Sequence, residues 1–128
     1  LSVTDDVLTH IDAGAGGGGT LTPPSGAQLT YTQVLSCKAT AYTTQLQSWK
    51  KTATGTTARV GAIAVDPDVI PYGTRMFIVS ADGSITYGVA TAEDCGGLIQ
   101  GNRIDLFFDT YDECIRFGVR TCDVYLLA

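Results

Sequence analysis

The sequence predicts an all-β fold, a small closed barrel of six short strands with one short helix. Segments rich in Val, Ile, Thr, Tyr and Phe recur along the chain, and turn-forming residues separate them. Only one stretch has a convincing helical pattern. Closing six strands into a barrel leaves no exposed sheet edge, so a closed barrel is the expected arrangement.

The strands are placed where β-forming residues lie between turn signals. Asp66-Pro67 ends one segment, and Asp82-Gly83 is a hairpin signal between two others. In Ile70-Pro71-Tyr72-Gly73, proline fits the second position of a turn. The six predicted strands cover residues 30–42, 60–65, 75–79, 85–91, 103–108 and 122–127.

The single helix is predicted over residues 110–117. Thr110 and Glu113 have the spacing of a capping box, in which side chains satisfy the first free N–H groups of a helix. Tyr111, Cys114 and Ile115 share one helical face. Gly118 is well placed to end the helix.

The first 28 residues have the composition of a flexible linker. They contain the run 14–19, which is almost entirely glycine, followed by a Thr-Pro-Pro-Ser-Gly segment. The prediction is therefore a linker over 1–28 and one barrel domain over 29–128. The chain also starts without a basic-then-apolar leader, so it is expected to be a piece of a longer protein.

Charge and hydropathy exclude two classes of partner. The formal net charge is −5, and Lys50-Lys51 is the only pair of adjacent basic residues, which argues against nucleic-acid binding. No apolar run approaches the roughly 20 residues that a membrane-spanning helix needs. We therefore expect no membrane span in this segment.

Four cysteines are many for so small a domain. They form no Cys-x-x-Cys pair and have no nearby histidine, so a zinc site is a poor fit. Two disulfides in an extracellular setting are expected, the alternative being four free thiols in a reducing cell. Of the three connectivities, the favoured one joins Cys114 to Cys122 and Cys37 to Cys95.

Carboxylates are the residues left to carry chemistry. The only histidine, His10, lies in the predicted linker, so neither a serine nor a cysteine nucleophile has a base beside it. The chain has no phosphate-binding glycine loop and no metal-ligand set, so neither a metal nor another cofactor is expected. Among the acids, Asp66 and Asp94 each have a competing explanation as turn aspartates.

Asp105 stands out because it lies inside a predicted strand, where aspartate is disfavoured. Alternation places it on one face with Arg103 and Phe107, whereas Ile104, Leu106 and Phe108 face the other way. One interpretation is an exposed carboxylate paired with Arg103. The other is a carboxyl group beside Phe107, whose desolvation raises its pKa so that it serves as an acid.

Three stretches in order resemble the three-aspartate (3D) domain family. They are Ala39-Thr40-Ala41-Tyr42, Ala64-Val65-Asp66-Pro67 with Ile70-Pro71-Tyr72-Gly73-Thr74, and Ala92-Glu93-Asp94-Cys95-Gly96-Gly97 through Gly101-Asn102-Arg103-Ile104-Asp105. The resemblance covers about residues 37–128. It implies a six-stranded double-psi β-barrel, found in stationary-phase survival and resuscitation-type cell-wall proteins and in membrane-bound lytic transglycosylase A.

The resemblance also implies roles for residues. The aspartates that name the family match Asp66, Asp94 and Asp105, and the transglycosylase's catalytic aspartate matches Asp105. The predicted substrate-binding positions are Tyr42, Thr54, Gly55, Gly96, Gly97, Gln100 and Asn102. Thr54-Gly55 resembles the family's glycine-containing loop, whereas Tyr42 is chosen because aromatic faces pack against sugars and is equally well explained as a core residue. Two positions depart from the family pattern, because the family usually has Lys at Gln100 and Thr at Cys95.

The function that follows is cleavage of peptidoglycan glycan strands by a secreted or cell-wall-associated lytic transglycosylase. Asp105 is expected to be the acid/base, and Asp66 either assists or is structural. Asp94 is expected to orient the substrate or Asp105 and to stabilise positive charge that develops at the anomeric carbon. Two alternatives stay open. One is a hydrolase on the same barrel, and the other is a non-catalytic module that binds cell-wall glycans.

Overall fold

The computed structural model describes residues 10–13, 19–22, 29–43, 52–83, 85–96 and 99–127. These residues form strands and one short helix, in the order β1 His10–Ala13, β2 Gly19–Thr22, β3 Leu29–Tyr42, β4 Ala62–Ala64, β5 Arg75–Ser80, β6 Thr86–Asp94, β7 Arg103–Phe107, α1 Tyr111–Phe117 and β8 Arg120–Leu127. No helix in the described ranges is long and apolar enough to cross a membrane.

Six of the strands close into a barrel. Their order is β3-β7-β4-β6-β5-β8, and β8 pairs back onto β3. The β3–β7 and β4–β6 pairs are parallel, and the other pairs around the barrel are antiparallel. The predicted six-stranded double-psi β-barrel with one short helix is therefore confirmed.

The barrel core is built by alternation along its strands. Ile104 and Leu106 of β7, and Phe108 just after it, are fully buried in the core cluster, as the sequence predicts. Asp105 and Phe107 point the other way, towards the outer face of the barrel wall. Because Phe107 is itself nearly inaccessible to solvent, this outer face is covered at that position.

Both predicted ends of the helix are confirmed. Thr110 is the N-cap, and its Oγ1 accepts a hydrogen bond of 3.2 Å from the Glu113 backbone N–H. At the other end, Gly118 has φ 63° and donates its backbone N–H to the Cys114 carbonyl at 3.0 Å. Glycine adopts this left-handed conformation without steric cost, so the helix stops there.

One predicted turn is wrong by one residue. The hydrogen bond runs from the Thr74 N–H to the Pro71 carbonyl at 3.1 Å, so proline occupies the first position rather than the second. Gly73, with φ 87°, then occupies the third position. A turn that needs positive φ at its third residue is set by the glycine, which outweighs the preference of proline. The Asp82-Gly83 hairpin between β5 and β6 is confirmed, with Gly83 at φ 77°.

The segment predicted as a linker contains two strands that pair antiparallel. β1 pairs with β2, and β2 continues the sheet onto the first residues of β3, outside the closed barrel. Main-chain hydrogen bonds hold such a ladder together, so glycine and threonine can form it despite a linker-like composition. The division into a linker over 1–28 and a domain over 29–128 stays a prediction.

Candidate functional site

Two of the predicted aspartates lie on one face of the barrel wall. Thr40 of β3 is opposite Asp105 of β7, Asp105 is opposite Ala64 of β4, and Ala64 is opposite Asp94 of β6. Residues directly opposite in a sheet project from the same face, so these four side chains form one row. The small Ala64 side chain, which is itself only 4% exposed, lies between the two carboxyl groups in this row.

A β-bulge turns Asp94 outward. Ile63 pairs with Ala92, but the next residue, Ala64, pairs with Asp94, so Glu93 is an extra residue in β6. Ala92 is buried in the core, and strict alternation would also point Asp94 inward. The bulge reverses that direction, because a shift of one residue moves a side chain to the opposite face.

Asp105 is half-buried between polar and aromatic neighbours. Its Oδ1 accepts a hydrogen bond of 2.9 Å from the Thr40 hydroxyl. Beside it, the Tyr42 and Phe107 rings contact edge-to-face with centroids 5.4 Å apart. The exposed-pair interpretation requires a salt bridge between Asp105 and Arg103. Among the described residues the structure records no such salt bridge, and Asp105 is hydrogen-bonded to Thr40 instead.

The environment of Asp105 raises its pKa. Burial is the largest cause, and the negative charge of Asp94 adds to it. The Thr40 hydrogen bond and the positive charge of Arg103 act in the opposite direction without cancelling the effect. Asp105 therefore keeps its proton to a higher pH than an ordinary aspartate.

Asp94 is held by backbone N–H groups. Its Oδ1 accepts hydrogen bonds of 2.9 Å from the N–H of Ala53 and 2.9 Å from that of Cys95. The predicted binding residue Thr54 donates both its N–H and its hydroxyl to the Glu93 carbonyl, at 3.2 Å and 2.9 Å. The turn that carries Thr54 and the exposed Gly55 is thereby fixed to the end of β6, next to Asp94.

An ion pair that the sequence analysis missed supports the same bulge. The Arg59 guanidinium donates to both carboxylate oxygens of Glu93, at 3.1 Å and 2.7 Å. Burial acts to raise the pKa of Glu93, but hydrogen bonds from Arg59 and Thr56 outweigh it and the pKa is lowered. The two partners are 34 residues apart along the chain, so no local sequence pattern predicts that they form an ion pair.

Asp66 has its carboxylate occupied by the main chain. Oδ2 accepts from the Gly101 N–H at 2.9 Å, and Oδ1 accepts from the Asp68 N–H at 3.0 Å. These bonds lower the pKa of Asp66 and tie the turn after β4 to the segment before β7. This arrangement fits the turn-aspartate interpretation, in which Asp66 shapes the loops around the site.

The other predicted binding residues lie around this face in different states of exposure. Tyr42 is half-buried, and its hydroxyl donates to the Ala62 carbonyl at 3.2 Å. Burial raises the pKa of Tyr42, and the charges of Asp94 and Asp105 contribute. Gly96, Gln100 and Asn102 are exposed, whereas Gly97 lies outside the described residues.

Tyr72 is a candidate binding residue to which the sequence analysis gave no binding role, although it lies in a stretch that resembles the family. Its side chain is 41% exposed and is hydrogen-bonded to Cys95. This contact and the charge of Asp94 raise the pKa of Tyr72. An exposed aromatic ring thus stands beside the Asp94 end of the row, and its presence in the Ile70-Pro71-Tyr72-Gly73 stretch was the available signal.

The favoured cysteine pairing is not present in the structure. All four cysteines are free in the structure. The antiparallel β3–β8 register places Cys37 directly opposite Cys122, so neither Cys37–Cys95 nor Cys114–Cys122 is the juxtaposition that the barrel forms. Pairing between distant strands decides this, and a short separation between cysteines along the chain does not.

The chemistry available on this face is proton transfer and carboxylate electrostatics. This face carries the Asp105 carboxyl group, whose pKa is raised, and the Asp94 carboxylate, which backbone N–H groups hold in place. No group of three or more His, Cys, Asp or Glu side chains in the described part of the chain is arranged to hold a metal ion.

Comparison with known proteins finds similarity over the region that contains Asp66, Asp94 and Asp105. The 3D domain family model matches residues 61–128. The chain is 43% identical over 65 residues to the cell wall-binding protein YocH of Bacillus subtilis, covering 51% of this chain and 21% of that protein. It is 35% identical over 100 residues to the putative cell wall shaping protein YabE of the same organism, covering 74% and 23%. The chain thus spans about a fifth of the length of these relatives.

Solved structures share the fold. MltA from E. coli matches with a TM-score of 0.52 and 23% identity, covering 64% of this chain and 29% of that one. MltA with bound chitohexaose matches with a TM-score of 0.54 and 22% identity, covering 66% and 29%. At this level of identity the likeness concerns the barrel itself.

Proposed function

Since this chain belongs to the 3D domain family, whose model matches residues 61–128, we propose that it cleaves peptidoglycan glycan strands as a lytic transglycosylase. Its place of action is the bacterial cell wall or its surroundings, in keeping with the names of its two Bacillus relatives. Its ligand is a β-linked amino-sugar chain, of which the chitohexaose bound to MltA is an example.

The observation that carries the proposal is the half-buried carboxyl group of Asp105, with its raised pKa, on the outer face of the barrel. A general acid must hold a proton at working pH and give it to the leaving oxygen, and efficiency is greatest when its pKa approaches that pH. Desolvation beside Phe107 and the charge of Asp94 supply the shift. A surface aspartate would be ionised and unable to donate.

The reaction uses one acid/base group. Asp105 protonates the oxygen that links N-acetylmuramic acid to N-acetylglucosamine, and the bond from that oxygen to the anomeric carbon breaks. The Asp105 carboxylate then takes the proton of the muramyl 6-hydroxyl, whose oxygen bonds to the anomeric carbon and closes an anhydro ring. Because the nucleophile belongs to the substrate, the site does not need the paired carboxylates of ordinary glycosidases.

Asp94 supports this step electrostatically. It lies two strands from Asp105, which corresponds to about 10 Å between their Cα atoms at the usual strand spacing. Held by two N–H groups, its carboxylate stays fixed while positive charge develops on the sugar ring. Tyr42 and the exposed Tyr72 supply aromatic surface along the same face for sugar rings to pack against.

A second candidate is a non-catalytic module that binds cell-wall glycans, and the name of the relative YocH, a cell wall-binding protein, favours it. In that case the aspartates only accept hydrogen bonds from sugar hydroxyl groups. The two candidates share the same face and the same ligand, and they differ in whether any covalent bond is broken.

Digestion of purified peptidoglycan followed by mass spectrometry of the soluble products separates them. The proposal predicts fragments that end in anhydro-muramyl groups, lighter by one water molecule than hydrolysed fragments. Fragments with reducing ends would show a hydrolase, and binding to sacculi without soluble fragments would show a binding module. Asp105→Asn should reduce release by roughly 10²- to 10⁴-fold, whereas Asp112→Asn, at an exposed helix position, should not.

A further inference from the structure

Cys37 and Cys122 face each other across the seam that closes the barrel. Cys37 lies on β3 and Cys122 on β8, and the register makes them direct partners in the antiparallel pair. Each side chain is only 1% exposed, and both belong to the same core cluster. The electrostatic influence of Cys37 on Cys122 agrees with thiols that lie close together.

The backbone geometry of such a pair suits a covalent link. Directly opposite residues in an antiparallel pair have Cα atoms about 4.5 or 5.5 Å apart, depending on their place in the hydrogen-bond ladder. Disulfides span Cα separations of about 4.4–6.8 Å, so either case falls within the required range. Cys95, by contrast, is exposed at the end of β6, and Cys114 is on α1.

We propose that Cys37 and Cys122 form a disulfide that staples β3 to β8. The link forms by exchange with a disulfide-type oxidant such as oxidised glutathione. The two thiols lose two protons and two electrons, one S–S bond forms in the protein, and the S–S bond of the oxidant breaks to give two thiols. An oxidising extracellular compartment supplies oxidants of this class.

Burial determines when the link forms. Desolvation raises the pKa of Cys37 to about 11 and that of Cys122 to about 12. Thiolates are the reactive species in exchange, so these thiols react slowly once they are enclosed in the folded barrel. The staple therefore forms while the chain folds, and it is afterwards shielded from reductants.

The staple constrains a long stretch of chain. The loop between the two cysteines holds about 85 residues and includes β4, β5, β6, β7 and α1. Cross-linking a loop of this length strongly restricts the unfolded chain. It also fixes β3, which carries Thr40 three residues beyond Cys37, in register with its neighbours.

Disulfide mapping tests the proposal on the 128-residue chain. The chain is refolded with a mixture of reduced and oxidised glutathione, remaining thiols are alkylated under denaturing conditions, and trypsin is added without a reductant. Trypsin places each cysteine in a different peptide, because Lys or Arg residues separate all four. We expect peptide 1–38 joined to peptide 121–128. Cys37 joined to Cys95 or Cys114, or Cys37 and Cys122 both alkylated, would overturn the proposal.

Thermal unfolding gives a second readout that needs no substitution in the core. A double variant, Cys95→Ser with Cys114→Ser, retains only the proposed pair and serves as the matched control for the other two cysteines. The wild-type protein and this variant are each refolded once with oxidant and once with reductant. For both proteins, the sample refolded with reductant should melt at a temperature lower by on the order of 10 °C. A double variant whose melting temperature is the same in either condition would contradict the staple.

Discussion

Thr40 lies opposite Asp105 across the parallel pair of β3 and β7, and its hydroxyl donates a hydrogen bond of 2.9 Å to Asp105 Oδ1. This bond lowers the pKa of Asp105, against burial and the charge of Asp94, which raise it. The pKa of the proposed acid therefore depends on its burial and on neighbours that include Thr40 on β3 and Asp94 on β6, and these two neighbours can be changed separately.

Thr40→Val removes the hydroxyl and nearly preserves the shape of the side chain. The carboxylate loses a donor that stabilises its charged form, so the pKa of Asp105 should rise further. The alkaline limb of the pH profile for glycan cleavage should move to higher pH, and the maximal rate should fall roughly tenfold because the carboxyl group is less well oriented. Thr32→Val, at an exposed position of the same strand, is the control. An unchanged alkaline limb would mean that the Thr40 bond does not act on the titrating group.

Asp94→Asn should act in the opposite direction. Asparagine keeps the oxygen that accepts from Ala53 and Cys95 but removes the negative charge that raises the pKa of Asp105. The pKa of Asp105 should fall, and the pH optimum for cleavage should shift to lower pH with a reduced rate at neutral pH. Comparison with Asp112→Asn tests for a general effect of net charge. A shift to higher pH in Asp94→Asn would refute the electrostatic role.

Arg59→Ala should destabilise the fold in a pH-dependent way. Glu93 is buried, and removing Arg59 leaves its carboxylate without that partner, at a cost of about 1 kcal/mol since the Arg59 side chain is half-exposed. The folded pKa of Glu93 is lowered below the ordinary value of 4.5. The stabilisation by this pair is therefore fully present above pH 4.5 and is lost as pH falls through the folded pKa.

Urea unfolding of wild type and Arg59→Ala across acidic pH measures this effect. The difference in unfolding free energy should be largest at neutral pH and should shrink towards acid. Arg75→Ala, at the exposed start of β5, should show no such trend. A difference that is constant with pH would show that the pair contributes through packing alone.

Tyr72→Ala should weaken binding to sacculi. The ring is exposed beside Asp94, where a sugar bound along the row would meet it. Loss of aromatic contact should lower affinity about threefold to tenfold, with little effect on the melting temperature. Tyr111→Ala removes a similarly exposed ring from α1 and is the matched control. Equal loss of binding in both variants would place the glycan elsewhere or show non-specific adhesion.

Local turn chemistry explains why the strands could be predicted from the sequence. Asp82-Gly83, Asp66-Pro67 and Gly118 mark chain reversals or element ends through their backbone preferences, and those preferences hold in the barrel. The mid-strand position of Asp105 was visible from a different local pattern, because aspartate is disfavoured inside a strand and here alternates with the buried Ile104 and Leu106.

Pairing between distant strands explains what was missed. The bulge at Glu93, which turns Asp94 outward, cannot be predicted from the residue types around it. The Arg59–Glu93 pair joins segments that are far apart along the chain, so it could not be predicted from local sequence either. Cys37 and Cys122 are matched only once the β3–β8 register is known. Thr40 belonged to a stretch that resembles the family, but its partner became visible only in the β3–β7 register.

Titration of the Asp105 carboxyl group tests its proposed role as the acid without relying on an activity assay. Carbon-13 NMR of protein labelled at aspartate side chains follows each carboxyl group with pH, and Asp105→Asn identifies the signal that belongs to Asp105. We expect the midpoint of this signal to lie above 3.8, the ordinary value for aspartate, because burial dominates over the Thr40 and Arg103 contributions. A midpoint at or below 3.8 would show that Asp105 is ionised like a surface carboxylate and does not hold the proton that cleavage requires.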